Sequence, residues 1–228
     1  MQLSERIHRL WSGGMSSAWQ DLLATMHLQS VGVGYQPWTS SAVRPAAMRL
    51  LLNEIIVNQR RSVVELGGGI STVFMAKTLS DRGGTLLTVE EDADWLAQVG
   101  EMVRLANIGP GTWQGLHAAM APCSTSVGGS QWYEEDTLNG ALGNRKFDMC
   151  LVDGPCATVH NVLCRFPAGA FIANYLSEDY ALFVDDVDRA GELRIARSWA
   201  KDMGGTLRIE QGGIGLIHPV GSTRFNIY

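Results

Sequence analysis

Apolar residues recur along the chain with two periods, and the switches between them mark out the elements. Leu3, Ile7, Leu10 and Trp11 share one face of a first helix that Ser12-Gly13-Gly14 ends, and 18–28 read as a second short helix. These two helices cover the core, pair two subunits or roof a pocket, and the sequence does not choose among the three. Met48, Leu51, Leu52, Ile55 and Ile56 form the apolar face of a helix over 46–59. A short β-branched run from Ser62 ends in Glu65, three glycines follow, and a helical pattern resumes over 72–79 until Asp81-Arg82-Gly83-Gly84. A second strand over 85–89 ends at Glu90-Glu91-Asp92 and leads into a helix over 93–106. A weaker strand over 112–116 precedes His117. The continuous apolar run 147–152 ends at Asp153-Gly154-Pro155, and a helix from about 158 to 176 breaks near Pro167 and Gly169. A strand over 181–184 ends at Asp185-Asp186, and 191–203 are helical. Two last strands joined by Gln211-Gly212-Gly213 make a hairpin.

Two stretches carry no clear period. In 29–45, Gly32, Gly34 and Pro37 shape a loop that sets Trp38 beside Thr39, Ser40 and Ser41. This loop either caps the next helix with a packed indole or forms a lid over a ligand. In 121–146, Trp132 and Tyr133 stand before Glu134, Glu135 and Asp136 in an irregular insertion, the kind of long segment that is more often functional or mobile than inert. The two aromatics either stack on a substrate or anchor the insertion to the core.

Strands alternating with helices before a closing hairpin imply an α/β fold: a Rossmann-like, doubly wound, mostly parallel sheet with helices on both faces and a C-terminal antiparallel hairpin. Residues 1–45 read as an extension and lid, and 46–228 as the main domain. Of the 228 residues, 46% are hydrophobic and 18% charged, a globular rather than disordered balance. The net charge of −5 argues against nucleic acid as the main partner, since a phosphate backbone calls for a basic face. No apolar stretch reaches membrane-spanning length, and MQLSERIHRL lacks the apolar core of a secretory leader, so a cytoplasmic protein without membrane contact is expected. Cys123, Cys150, Cys156 and Cys164 form no CxxC pair and read as buried or incidental thiols. A zinc site from Cys150, Cys156, Cys164 and His160 lacks a recognised spacing.

The chemistry concentrates where ligands bind in such sheets, at the C-terminal ends of the strands. Glu65, Glu90, Asp153 and the pair Asp185-Asp186 fall at four predicted strand ends. Some of these acids start turns, Asp153 before Gly154-Pro155 above all. Gly67, Gly68 and Gly69 allow a tight turn at which backbone N–H groups and a helix N-terminus approach a ligand. Glu90 lies 21 residues after Gly69, close to the spacing of roughly 20 for a ribose-binding acid. That acid suits any adenosyl cofactor. Thr72 in place of a third fingerprint glycine, Glu65 before the turn and the terminal hairpin favour S-adenosylmethionine over a dinucleotide. No Gly-Lys-Ser/Thr closes the turn as in a Walker loop.

VVELGGGIST, TVEED, FDMCLVDGP and FVDDVDR, in this order, resemble the class I S-adenosylmethionine-dependent methyltransferases over roughly residues 46–219. The resemblance implies a seven-stranded sheet whose last strand is antiparallel. It implies that Glu65 and Gly67, Gly68 and Gly69 hold the methionine part of the cofactor, with Ser71 and Thr72 nearby. Glu90, with Glu91 beside it, would bind the ribose, and His117 and Ala118 would flank the adenine. Outside the stretch of resemblance, the lid reading of 29–45 has Trp38 and Ser40 reach the cofactor. Asp153 with Asp185 and Asp186 is similar to the metal site of the catechol-type and sugar-type O-methyltransferases, where Mg²⁺ or a similar hard cation activates a hydroxyl. The alternative is Asp153 acting alone while Asp185-Asp186 caps the next helix, as in a metal-free enzyme. His160 is a candidate general base beside Asp153. Arg165 binds an anionic substrate group or lies exposed on a helix. The expectation is methyl transfer to a hydroxyl of a small molecule with metal assistance. A metal-independent N- or protein methyltransferase, a non-catalytic cofactor-binding module and a homodimer stand as alternatives and additions.

Overall fold

A computed structural model describes residues 17–157, 163–222 and 224–227. The first expected helix and His160 lie outside the described residues, as does the start of the helix expected from 158. Helix α1 covers 17–28, and a short 3₁₀ turn follows at Gln29–Val31. Then come α2 (Pro45–Val57), β1 (Ser62–Leu66), α3 (Ile70–Ser80), β2 (Thr85–Glu90), α4 (Ala93–Leu105) and β3 (Trp113–His117). The chain continues through β4 (Met120–Pro122), β5 (Gln131–Tyr133), α5 (Glu135–Leu142), β6 (Phe147–Val152) and α6 (Pro167–Ala173). It ends with β7 (Leu176–Val184), α7 (Ala190–Asp202), β8 (Gly205–Glu210) and β9 (Ile214–Pro219).

Seven strands form one sheet in the order β3-β2-β1-β6-β7-β9-β8. The pairs from β3 to β7 are parallel, and β9 runs antiparallel to both β7 and β8. Strand residues alternate between two cores, as the period of two requires. Val63, Met149, Leu151 and Phe183 join a core with α2, α3 and α4. Val64, Cys150, Val152 and Leu182 join a second core with α5, α6 and α7. A sheet covered on both faces has no polar side, which is why 147–152 read as an unbroken apolar run. Leu28, Val33 and Val43 belong to the first core, so these residues of the N-terminal extension pack with the main domain. Asp21 on α1 accepts the Ala46 N–H at 3.1 Å and pairs with Arg44, which supplies the cap that α2 lacks at its own Arg44 N-cap.

The segment 121–146 differs from the irregular insertion expected. Met120–Pro122 and Gln131–Tyr133 form a two-stranded antiparallel sheet, and α5 follows with Leu138 and Leu142 buried four residues apart. Trp132 and Tyr133 are fully buried, so they anchor the segment rather than offer a face to a substrate. The Trp132 ring meets Tyr133 at 5.6 Å and Phe171 of α6 at 5.0 Å, both edge to face. The helix expected to run to 176 is confined, among the described residues, to Pro167–Ala173, and Leu176 already belongs to β7. The turn Asn174–Tyr175 releases the chain into the sheet beside Phe147.

Trp132→Ala removes a buried aromatic and leaves a cavity, a change that costs about 3–5 kcal/mol. Among the described residues the indole Nε1 has no hydrogen-bond partner, so Trp132→Phe removes a desolvated donor along with the second ring and should cost clearly less than Trp132→Ala. Urea denaturation of both variants, read by far-ultraviolet circular dichroism, checks the order and the gap between them.

Candidate active site

The strand order reverses between β1 and β6, and the crevice at such a switch point is where doubly wound sheets bind ligands. Here the two strand ends touch backbone to backbone. Leu66 O accepts the N–H groups of Asp153 at 2.9 Å and Gly154 at 2.6 Å. A Cβ on Gly67, whose φ is +92°, would lie 2.5 Å from Gly154 N, and a Cβ on Gly154 would lie 2.6 Å from Gly67 Cα. Only glycine fits either position. A cavity of about 370 Å³ opens above this contact, a size within the ~300–1,000 Å³ range of small-molecule sites. Gly67, Gly68, Gly69 and Ser71 line one wall, and Glu90, Glu91 and Asp153 stand around it.

The two glutamates expected to touch the cofactor have different places. Glu65 is fully buried and accepts hydrogen bonds from Ser71 Oγ at 2.5 Å, Thr72 Oγ1 at 2.5 Å and Thr88 Oγ1 at 2.9 Å. It pins the start of α3 to β1 and β2 from below the turn, and Thr72 is equally buried. Neither Glu65, expected to hold the methionine part, nor Thr72, expected near it, lines the cavity; both support the turn. Burial pushes the Glu65 carboxyl up to about 7, against the three hydroxyl donors. Glu90 does reach the cavity wall. It accepts Gly68 N–H at 2.8 Å and Asp92 N–H at 3.0 Å, which fixes the turn to the end of β2. Burial and the neighbouring Glu91 charge push it to about 7 as well. Glu91 accepts the Cys156 N–H at 2.9 Å and the Tyr133 hydroxyl at 3.2 Å, so it ties the β2 end to the loop after β6.

Other expected contacts fall away from the cavity. Trp38 turns onto Phe74 at 6.0 Å, edge to face, and Ser40 is exposed; it is their alternating neighbours Pro37, Thr39 and Ser41 that line the cleft. Ala118 is buried under the β3 end, where its N–H bonds Glu90 O, and exposed His117 meets Glu91 O at 3.1 Å. Trp95 was not singled out from the sequence. Its Nε1 donates to Gly68 O at 2.7 Å, and the ring lines the cavity, held by Asp92 as N-cap of α4. An aromatic three residues after an acid at a strand end was the available signal.

The expected metal ligands do come together. Asp153, Asp185 and Asp186 place carboxylate oxygens within 4.8 Å of one another, an oxygen set of the kind that suits a hard cation. A side chain already occupies their charge. Arg165 is 4% exposed rather than lying on an open helix face, and its guanidinium pairs with Asp153 at 3.3 Å and Asp186 at 3.2 Å. Arg189 pairs with Asp186 at 2.9 Å. With Arg165 in place the set does not fit a divalent ion. Burial and the mutual repulsion of the acids push Asp185 to about 8, while Arg165 partly offsets burial at Asp153, which stands at about 6.

Glu65 gives stability a defined pH dependence. Its pKa is about 7 in the fold against an ordinary 4.5, so between these values the native chain binds more protons than the unfolded one. Stability contributed by this carboxyl is therefore present in acid and lost as pH rises from 4.5 toward 7. Glu65→Gln cannot ionise and should flatten that slope, gaining about 1–3 kcal/mol on the wild type between roughly pH 5 and pH 8. Paired urea titrations at the two pH values measure it.

No protein-family model matches the chain, and no curated protein matches it in sequence. Solved structures do match. A methyltransferase of Podospora anserina, bound to S-adenosylhomocysteine, aligns with 90% of this chain and 94% of its own, with a TM-score of 0.61 at 13% identity. An O-methyltransferase of Streptomyces achromogenes involved in tomaymycin synthesis, in complex with S-adenosylmethionine, aligns with 97% of this chain and 100% of its own, with a TM-score of 0.56 at 16% identity. An O-methyltransferase of Bacillus cereus with S-adenosylhomocysteine aligns with 87% and 90%, with a TM-score of 0.56 at 14% identity. The sheet order, the terminal hairpin and these likenesses agree: the chain has the fold of the class I S-adenosylmethionine-dependent methyltransferases.

Proposed function

We propose that the chain is an S-adenosylmethionine-dependent methyltransferase that methylates a hydroxyl of a small molecule. The observation that carries the reading is the meeting of the glycine turn, Glu90 and Asp153 on one cavity at the switch point. The cavity's groups fit the cofactor. Gly69 has open space where a Cβ would stand, so a ligand can lie against the backbone at the N-terminus of α3. That N-terminus of an 11-residue helix favours the carboxylate of an amino-acid moiety. A carboxylate offers about four acceptor positions; Glu90 spends two on Gly68 and Asp92 and shares a hydrogen bond with Glu91, which still leaves acceptor capacity for a ribose hydroxyl. Trp95 offers an aromatic face beside it.

When bound, the cofactor supplies an electrophilic methyl on a sulfonium. The chain's own residues do the rest. Asp153, at the junction of the glycine turn and the Asp185-Asp186 pair, is the carboxylate placed to take the acceptor's proton. Thr39 and Ser41 offer hydroxyls across the cleft, and Arg189, 56% exposed on its side chain, stands at the mouth. The O-methyltransferases among the structural neighbours support an oxygen acceptor. A cavity of this size suits a small molecule better than a folded protein surface.

Isothermal titration with S-adenosylhomocysteine tests the cofactor, and transfer of labelled methyl to a panel of hydroxylated small molecules tests the reaction. Binding is expected in the wild type. Glu90→Ala should weaken it by about tenfold or more, since hydrogen bonds to a charged group contribute about 1.5–3 kcal/mol each. Absence of binding by a folded wild type would overturn the reading.

A further inference from the structure

We propose that Arg165 is the resident cation of the Asp153–Asp185–Asp186 cluster, standing where a divalent ion would otherwise sit, so that the cleft works without metal. The statement about the cation is independent of the methyltransferase reading; only the statement about turnover rests on it.

Every N–H of the guanidinium is accounted for. Nε donates to Pro155 O at 3.4 Å. Nη1 donates to Asp185 O at 3.4 Å and Asp186 Oδ2 at 3.2 Å. Nη2 donates to Asp153 O and to Asp153 Oδ1, the latter at 3.3 Å. Five donors in a fixed fork thus meet three carbonyls and two carboxylates. The same contacts tie the loop after β6 to the loop after β7, the closure that an ion bridging the two strand ends would provide. Asp186 takes part from a left-handed backbone, φ +63°, a conformation that Asp tolerates better than most residues.

The arginine is also held in place. It stands two residues before α6, where Phe166 O accepts Trp199 Nε1–H at 3.0 Å and Pro167 opens the helix. Gly169 lies so close to Trp199 that a Cβ there would come within 2.2 Å of the indole. The hydrogen bond and this close packing hold the start of α6, and with it Arg165, against α7. An incoming divalent ion would face a fixed positive charge at short range in a buried site, and would find two of its three carboxylates already engaged. Removing the arginine relaxes both conditions: of the three carboxylates within 4.8 Å of one another, Asp186 alone would keep a cation, Arg189 at 2.9 Å, and Asp153 and Asp185 would be left to seek one.

The test uses Mn²⁺ as probe, with electron paramagnetic resonance to count free ion, on the whole chain and on Arg165→Met and Arg165→Lys. Wild type and Arg165→Lys, which both keep a cation, are expected to show no site of their own and the same melting temperature in chelator and in excess Mg²⁺. Arg165→Met is expected to bind Mn²⁺ at least about tenfold more tightly than wild type, as ligand charge sets such affinities, and to melt at higher temperature with the ion than without. One tight Mn²⁺ per wild-type chain, lost in Asp185→Asn, would overturn the proposal. So would a folded Arg165→Met that gains no Mn²⁺. If Arg165→Met does not fold, the wild-type and Arg165→Lys measurements decide alone. S-adenosylhomocysteine titrated into the same samples reports the cofactor reading separately: its failure with Mn²⁺ behaviour as expected would leave the cation assignment standing.

Discussion

The backbone contact between Gly67 and Gly154 is the constraint on which the cleft depends. With Leu66 O accepting both Asp153 and Gly154 N–H groups, the ends of β1 and β6 close to a distance that no side chain at either glycine would allow. The consequences spread outward from that point. The turn carried by Gly67 presents Gly68 N–H to Glu90 and Gly68 O to Trp95, which fixes the β2 end and the start of α4. The loop carried by Gly154 presents Cys156 N–H to Glu91 and Asp153 to Arg165. Two loops from opposite halves of the sheet thus share one wall.

Charge in the site is arranged in two tiers. Below the turn, Glu65 is surrounded by hydroxyls with no cation beside it among the described residues, so burial dominates and shifts its carboxyl toward the protonated form. Around the cavity, three aspartates stand against two arginines, and Arg165 gives the cluster its compensation from within the fold. The first tier serves geometry, because a Glu that holds Ser71, Thr72 and Thr88 fixes the helix start on the sheet. The second serves chemistry, because it keeps carboxylate oxygens at the cavity without leaving them unpaired.

A comparable buried network holds the far end of the sheet. Glu54 on α2 is fully buried and pairs with Arg60 at 2.9 Å and with Arg224 of the C-terminal segment. Arg60 also reaches Asp179 on β7 at 3.0 Å. The starts of β1 and β7 are therefore tied by charge, while the C-terminal ends of β1 and β6 are joined by glycine backbone beneath the cavity.

The alternation of strand and helix, the glycine turn, and acids at the ends of β1, β2, β6 and β7 were legible in the chain itself, because period, turn chemistry and strand-end polarity are local properties. Phe147–Val152 was read to the residue, since a strand buried on both faces leaves an unbroken apolar run. Which side of an element a residue faces, and what meets it there, was decided by tertiary structure. The sequence put Glu65 and Glu90 at equivalent strand ends, yet packing of α3 sends one below the turn and leaves the other on the cavity wall. It marked Trp132 and Tyr133 as an aromatic pair, and the docking of α5 and α6 buries them. It set Arg165 and Asp153 twelve residues apart with no sign of pairing, because an ion pair between two loops is visible only after the sheet has brought them together.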